Sequence, residues 1–498
     1  MTLNLRLVLI FLIINIVYSA HDCFSKIDSY KCRLGTKTPY RFIAYQDDTP
    51  VEYPGCVPKK IWLIFRHGTR YPGVKYVSRM IKDLPELQKI ILNNYEKNKT
   101  KLSPDDISNL ANWKVKFTED DTMHLYEEGK NEMIDLGERY QSRFYDIMPE
   151  TYDNKSYKFK YTATQRTEES AKHFAAGLFG WYNSQNVWYP QAEYKDPVLR
   201  FYKLCTRWRN EVDKNPSASI EKEKFLKSNV FESTVKSVSK KIGHQVDPET
   251  VHLMYIICAF ETAWYKDEDS PWCRLFSLHD FKVLEFADDI EYYWIDGYGH
   301  KLTYEQACVA LKDMFHFFSD DDGSLVSAYF THSGTILKLL ARLGIAKDTH
   351  PLTHNSFSVH ADNRAWRTTY IDAFATNIAF ILYNCTEQGP SILFMHQERV
   401  AYLPNCPKNM PCPMSTMRDL YPYRDDECQF EAMCNSQEDK ADFVDALNNI
   451  IPTTVRFMSL YVLEFDACSR RLLVFLRVEI ISEWGITALQ MELTPSVD

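Results

Sequence analysis

Arg66, His67, Gly68 and Arg70 fall within one heptapeptide, RHGTRYP at 66–72, and together they have the chemistry of an anion pocket. Two guanidinium forks hold phosphate oxygens in pairs and neutralise charge during transfer. Gly68 has no side chain, so the backbone can approach closely. His67 lies between the cations, which favour loss of the imidazole proton, and the freed nitrogen is a nucleophile towards phosphorus at near-neutral or acid pH. A second histidine, His332, sits in AYFTHSGTILKLLARLG (328–344), where a strand-like run gives way to a helix-like one. Free N–H groups at the start of that helix also favour an anion. Lys75 and Arg79 follow the heptapeptide at near-helical spacing; they read equally as holders of distal phosphates or as solvated surface charge. The arginines supply the positive charge that magnesium supplies in kinases, so neither a metal nor a cofactor is expected. Asp320, Asp321, Asp322 and Gly323 lack the spacing of a calcium loop and read as a turn.

Strands must place these groups. KIWLIF (60–65) is a β-branched and aromatic run ending abruptly at Arg66, as a buried parallel strand would. KFKYTAT (158–164) and LVSAYFT (325–331) read the same way, and ATNIAFILYNC (375–385) is a further strand. Between the first two, residues 124–148 space their apolar side chains as a helix does. After the third, TILKLLARL (335–343) is an amphipathic helix that Gly344 stops. Strand, crossover helix, strand predicts an α/β sheet with RHGTRYP at its carboxyl end, where such folds bind ligands. From 168 to 310 the chain turns helical and aromatic without a convincing strand, which predicts an inserted helical lobe between core segments 21–167 and 311–440.

The first twenty residues carry Arg6, an apolar run from Leu7 to Val17, and small Ser19 and Ala20, the pattern of a cleaved secretory leader. Asn98, Asn154 and Asn384 head glycosylation acceptor triplets, and all 13 cysteines lie beyond the leader. Proximity pairs Cys258 with Cys273 and Cys428 with Cys434, and the odd count leaves one thiol over. Secretion, or the lumen of the secretory pathway, is the expected location, with no permanent membrane anchor. Asp466, Arg470, Arg471 and Arg477 interrupt the apolar 441–498 segment too often for a membrane span. A formal charge of -9 argues against a nucleic-acid partner but leaves a small anionic ligand open, because its attraction depends on the local field of a cleft.

RHGTRYP after a buried strand resembles the RHGxRxP signature of the histidine phosphatase superfamily, in its acid phosphatase and phytase branch. The segments SPWCRLFS (270–277), LEFADDIEYYWIDGYG (284–299) and WRTTYIDAFATNIAFILYNC (366–385) are similar to those of the multiple inositol polyphosphate phosphatases. The resemblance spans roughly residues 55–436. It implies a histidine-phosphatase core with a central, mostly parallel sheet, and it makes Arg166 of YTATQRTEE a third phosphate-binding arginine and His332 the second catalytic histidine. His67 is then the covalent phosphoryl carrier, and inositol hexakisphosphate, lower inositol phosphates and 2,3-bisphosphoglycerate are the implied substrates. A broad secreted acid phosphatase is the neighbouring possibility. One position departs from the pattern. Relatives follow the second histidine with a carboxylic acid, in HD or HAE, that protonates the leaving oxygen; this chain has Ser333 and Gly334. Three readings follow: an acid from elsewhere or a protonated substrate, a slow enzyme, or a binder of phosphoanions without turnover.

Overall fold

The computed structural model describes residues 23–24, 29–321, 323–421, 424 and 426–435, together with four strands beyond residue 464. The expected leader and Cys468 lie outside the described residues. The chain separates into two units, one ending at Cys434 and one running from Asn435 to Asp498. In the second, Val474–Ser482 pairs antiparallel with Gly485–Leu493.

KIWLIF forms the inner part of β1 (Cys56–Arg66), whose last six residues are all buried. Its side chains alternate between two cores. Ile61, Leu63 and Phe65 join Met133, Leu136 and Phe174 on one face. Trp62 and Ile64 join Ile336, Leu340 and Phe380 on the other. A strand covered on both faces has no polar alternation, which is why the segment reads as one continuous apolar run.

In the sheet, β2 (Tyr157–Tyr161) and β1 flank β3 (Val326–Thr331), both parallel to it. On the far side of β1, β4 (Asn377–Cys385), β5 (Gly389–His396) and β6 (Arg399–Ala401) follow in antiparallel order, and a short β7 (Cys412–Pro413) also pairs with β5. The parallel character therefore resides in β2-β3-β1, the part that carries the functional loops.

Helix α1 (Val74–Glu96) follows the heptapeptide. Helices α2 (Glu127–Arg143) and α3 (Gln165–Asn183) cover the Phe65 face and approach each other through glycine. A Cβ on Gly177 would lie 2.2 Å from the Ile134 carbonyl oxygen, so only glycine permits that spacing. Helix α3 runs across the boundary expected at residue 168 and packs with α2 on the sheet, so residues 168–183 lie on the core and not in the helical lobe. Farther along, α4 (Asn229–Ile242), α5 (Pro248–Trp264) and α6 (Leu278–Asp296) share a core with α7 (Cys308–Ser319) and α8 (Ser333–Arg342). Helix α5 is started by Asp247, which accepts the Thr250 N–H, and is buried on nearly every side. Gly344 ends the α8 region at φ 77°, a conformation that suits glycine.

Six disulfides brace the first unit. Cys258–Cys273 forms as expected. Cys428 and Cys434 do not pair: Cys428 bonds Cys308 at the start of α7, and Cys434 bonds Cys205. The helical turn Phe430–Cys434 buries Cys434 in a separate cluster with Phe201 and Trp208. Asn98, Asn154 and Asn384 are all exposed, and no described helix is long and apolar enough to cross a membrane.

Candidate active site

Parallel pairing sets Arg66 opposite Thr331, so the next residues, His67 and His332, leave neighbouring strands side by side. The His67 N–H donates to the Thr331 carbonyl at 3.0 Å, and the two rings lie 5.6 Å apart. Tyr161 of β2 pairs with Phe330, and the chain then turns through Thr162 into α3, whose second residue is Arg166. Three adjacent parallel strands thus deliver three functional loops to one end of the sheet.

These loops line a cavity of about 220 Å³. Arg66, His67, Arg70, Arg166 and His332 all face it, which brings the five expected residues into one site. Lys37, Arg200 and Lys203 add three further cations, and no described carboxylate lines the wall. Lys75 and Arg79 are not among the lining residues. Lys75 is exposed on α1, while Arg79 is paired with Asp83 at 2.9 Å and Glu249 at 3.3 Å.

Hydrogen bonds fix the imidazole tautomers. His67 Nδ1 lies 2.9 Å from the Gly68 carbonyl, which only accepts, so Nδ1 carries the proton and Nε2 keeps its lone pair. Burial, then Arg166, Arg70 and Arg66, hold His67 well below the usual histidine range, so the ring is neutral at physiological pH. Arg166 Nη2 donates to His332 Nδ1 at 3.2 Å, which leaves the proton of neutral His332 on Nε2, 2.9 Å from Thr162 Oγ1. Burial and the same cations, with Arg200, also depress His332.

The arginines crowd one another. Burial and its neighbours Arg166 and Arg66 pull Arg70 down to about 9; burial and Arg200 pull Arg166 down to about 10. Among the described residues only Arg66 of these has a carboxylate near it, Asp372 at 3.5 Å, and its guanidinium also lies over the Phe374 ring. Like charges held together in a partly buried pocket create a strong field for an anion.

Gly68 does permit a close backbone approach, but the partner is protein. A Cβ there would meet the Gly129 carbonyl oxygen at 2.4 Å, and one on Gly129 would meet the Thr69 carbonyl oxygen at 2.2 Å. The signature loop is clamped against the start of α2, and Glu132 accepts from the Thr69 N–H at 2.7 Å. Lys37, Arg200, Lys203, Gly129 and Asp372 carried no motif spacing: each is remote in the chain from both histidines, although Gly129 falls within the helix read at 124–148 and Asp372 within the 366–385 segment.

Comparison with known proteins agrees with this geometry. Residues 59–397 match the histidine phosphatase superfamily (branch 2). Multiple inositol polyphosphate phosphatase 1 of Drosophila melanogaster is 32% identical over 410 residues, covering 79% of this chain and 86% of that protein. The Homo sapiens protein of that name is 27% identical over 387 residues, covering 70% and 77%. Among solved structures, the phytase from D. castellii superposes with a TM-score of 0.65 at 14% identity, covering 82% of this chain and 88% of that one. Bifidobacterium longum multiple inositol polyphosphate phosphatase, in complex with inositol hexasulfate, does so at 0.57 and 14% identity, covering 76% and 95%. With the match taking in β2 to β5, most of β1 and both histidine loops, the chain belongs to branch 2 of the histidine phosphatase superfamily.

Proposed function

We propose that the protein is a phosphomonoesterase that removes phosphate from inositol polyphosphates, inositol hexakisphosphate first among them, through a phosphohistidine at His67. The observation that carries this reading is a neutral imidazole with a free Nε2 in a cavity lined by six cations and no described carboxylate. A substrate with one phosphate would leave much of that charge unmatched; one with several phosphates would match it. Arg66, Arg70 and Arg166 surround the transferring group, while Arg200 and Lys203 take the distal phosphates in place of the expected Lys75 and Arg79, with Lys37, already paired with Asp288 at 2.8 Å, adding less.

His67 Nε2 attacks phosphorus in line as the ester P–O bond breaks and the alcohol departs with a proton. Water then attacks phosphorus, the P–N bond breaks, and inorganic phosphate leaves. A bound phosphoryl group offsets the positive field that keeps His332 neutral, so His332 takes up a proton and donates to a phosphoryl oxygen. The same cations would also match the two phosphates of 2,3-bisphosphoglycerate, the second substrate that the family resemblance implies. The leader pattern, three exposed acceptor asparagines and six disulfides support a secreted or lumenal setting.

The test is phosphate release from inositol hexakisphosphate by purified protein alongside His67→Ala. Release by the first and none by the second is expected; equal release from both would refute the assignment. Ser333 and Gly334, standing where a carboxyl is expected, favour a second reading as a binder without turnover, which would retain inositol hexakisphosphate and release nothing.

A further inference from the structure

The pocket has a nucleophile and an anion cradle but, among the described residues, no carboxylic acid on its wall. We propose that Ser333 and Asp372 form a proton relay in which the Ser333 hydroxyl protonates the leaving alkoxide and Asp372 resupplies it. This rests on the phosphohistidine reading above and adds the step it lacks.

Ser333 lines the cavity, and its Oγ is hydrogen-bonded to Asp372 Oδ2. Asp372 is fully buried behind it, and its second carboxyl oxygen, Oδ1, has no hydrogen-bond partner. A buried carboxylate with one oxygen unmatched favours its neutral acid. The charged groups facing Asp372 are Arg66 on β1, Lys37 on the 35–37 turn and Asp296 at the end of α6. Burial outweighs the two cations and raises the carboxyl to about 6.

The atoms balance. With Asp372 protonated, Oδ2–H donates to Ser333 Oγ and frees the Ser333 O–H for the substrate. As the P–O bond breaks, the serine proton passes to the alkoxide, and the Asp372 proton passes to Ser333. Asp372 is left as a carboxylate beside Arg66. When water attacks the phosphohistidine, both its protons leave on the phosphate, and Asp372 takes up a proton from solvent to restore the resting acid.

Space at position 334, where HAE relatives carry the acid, is tight. A Cβ on Gly334 would lie 3.3 Å from Asp296 Oδ1 and 3.4 Å from the Tyr202 ring, so a larger side chain there would crowd them. Asp296 itself is bound to Lys338 Nζ, which holds its carboxylate as an ion pair.

Wild type, Asp372→Asn, Ser333→Ala, Asp296→Asn and His67→Ala are each assayed on inositol hexakisphosphate and on 4-nitrophenyl phosphate. The nitrophenolate leaves without a proton, so a relay matters only for the inositol ester. Asp372→Asn is expected to lose about 10²- to 10⁴-fold on the inositol ester, and Ser333→Ala at least about tenfold. On 4-nitrophenyl phosphate both lose far less than on the inositol ester, and thermal unfolding midpoints close to that of wild type show that they fold. Wild-type kcat on the inositol ester falls as pH rises above about 6, and Asp372→Asn lacks that limb. Should Asp372→Asn not fold, Ser333→Ala carries the comparison. Equal losses on both substrates, or an inositol ester rate unchanged in Asp372→Asn, would overturn the relay. Loss of the limb in Asp296→Asn with Ser333→Ala unaffected would overturn it in favour of Asp296. A dead His67→Ala beside an unaffected Asp372→Asn rejects only the relay; an active His67→Ala rejects the nucleophile.

Discussion

Arg33, Arg364 and Arg367 converge on Glu285 of α6, at 3.2, 3.0 and 2.9 Å, with Asp289 accepting from Arg364 Nε at 2.8 Å. Arg70, Arg166 and Arg200 converge on one another across the cavity and have no carboxylate partner among the described residues. Both groups are buried or nearly so, and only their counter-ions differ. Around Glu285, burial acts to raise the carboxyl, yet Arg367, Arg364 and Arg33 hold it below its ordinary range, so the cluster is charged and matched. In the pocket the same residue type depresses its neighbours, and the missing negative charge must come from a ligand. Matched arginines hold the 361–367 segment to α6, whereas unmatched ones store a field for phosphate. The position of the carboxylates, not the count of arginines, separates structure from function here.

This contrast can be broken at several points. Glu285→Gln leaves three buried guanidinium groups short of charge, and should cost about 3–5 kcal/mol of stability in urea or thermal unfolding. Inositol hexakisphosphate should still stabilise that variant as much as it does wild type. Arg166→Ala should do the reverse: kcat/KM falls about 10²- to 10³-fold, while the unliganded protein is no less stable, because a repulsive cation has gone. A loss of stability there as large as in Glu285→Gln would end the distinction. Saturating phosphate or inositol hexasulfate should raise the stability of wild type by about 2.7 kcal/mol at one hundred times Kd, and by markedly less in Arg166→Ala, read as a shift in Tm. The smallest effect is a pH slope. His67 binds a proton in the unfolded chain near 6.5 but not in the fold, so the folded state loses stability as pH falls below that value. Wild type should therefore lose up to about 2 kcal/mol more than His67→Gln between pH 7 and 5, and added phosphate should shrink the difference.

The parallel half of the sheet was legible because its strands are buried on both faces and end in charged or polar loops. Once β1 and β3 are adjacent and in register, His67 and His332 follow without further information. The rest of the pocket depends on long-range placement that carries no local pattern. Lys37 enters from a short turn near the amino end, Arg200 and Lys203 from a connection after α3, and neither has motif spacing. Chain proximity failed for Cys428 and Cys434 because one helical turn directs their sulfurs to different partners. Lys75 and Arg79 have the right charge and helical spacing, yet Arg79 is taken up by Asp83 and Glu249. Asp372 was hidden for the opposite reason: a lone aspartate amid apolar YIDAFAT gives no hint that it lies behind Ser333.

The central claim is that His67 Nε2 takes the phosphoryl group. Rapid acid-free quenching of wild type with ³²P-labelled substrate, followed by peptide mapping, tests it most directly. The expected result is a label that is stable in base, labile in acid, confined to the peptide containing residue 67, and absent from His67→Ala. Turnover with the label on another residue, or undiminished turnover in His67→Ala, would contradict it.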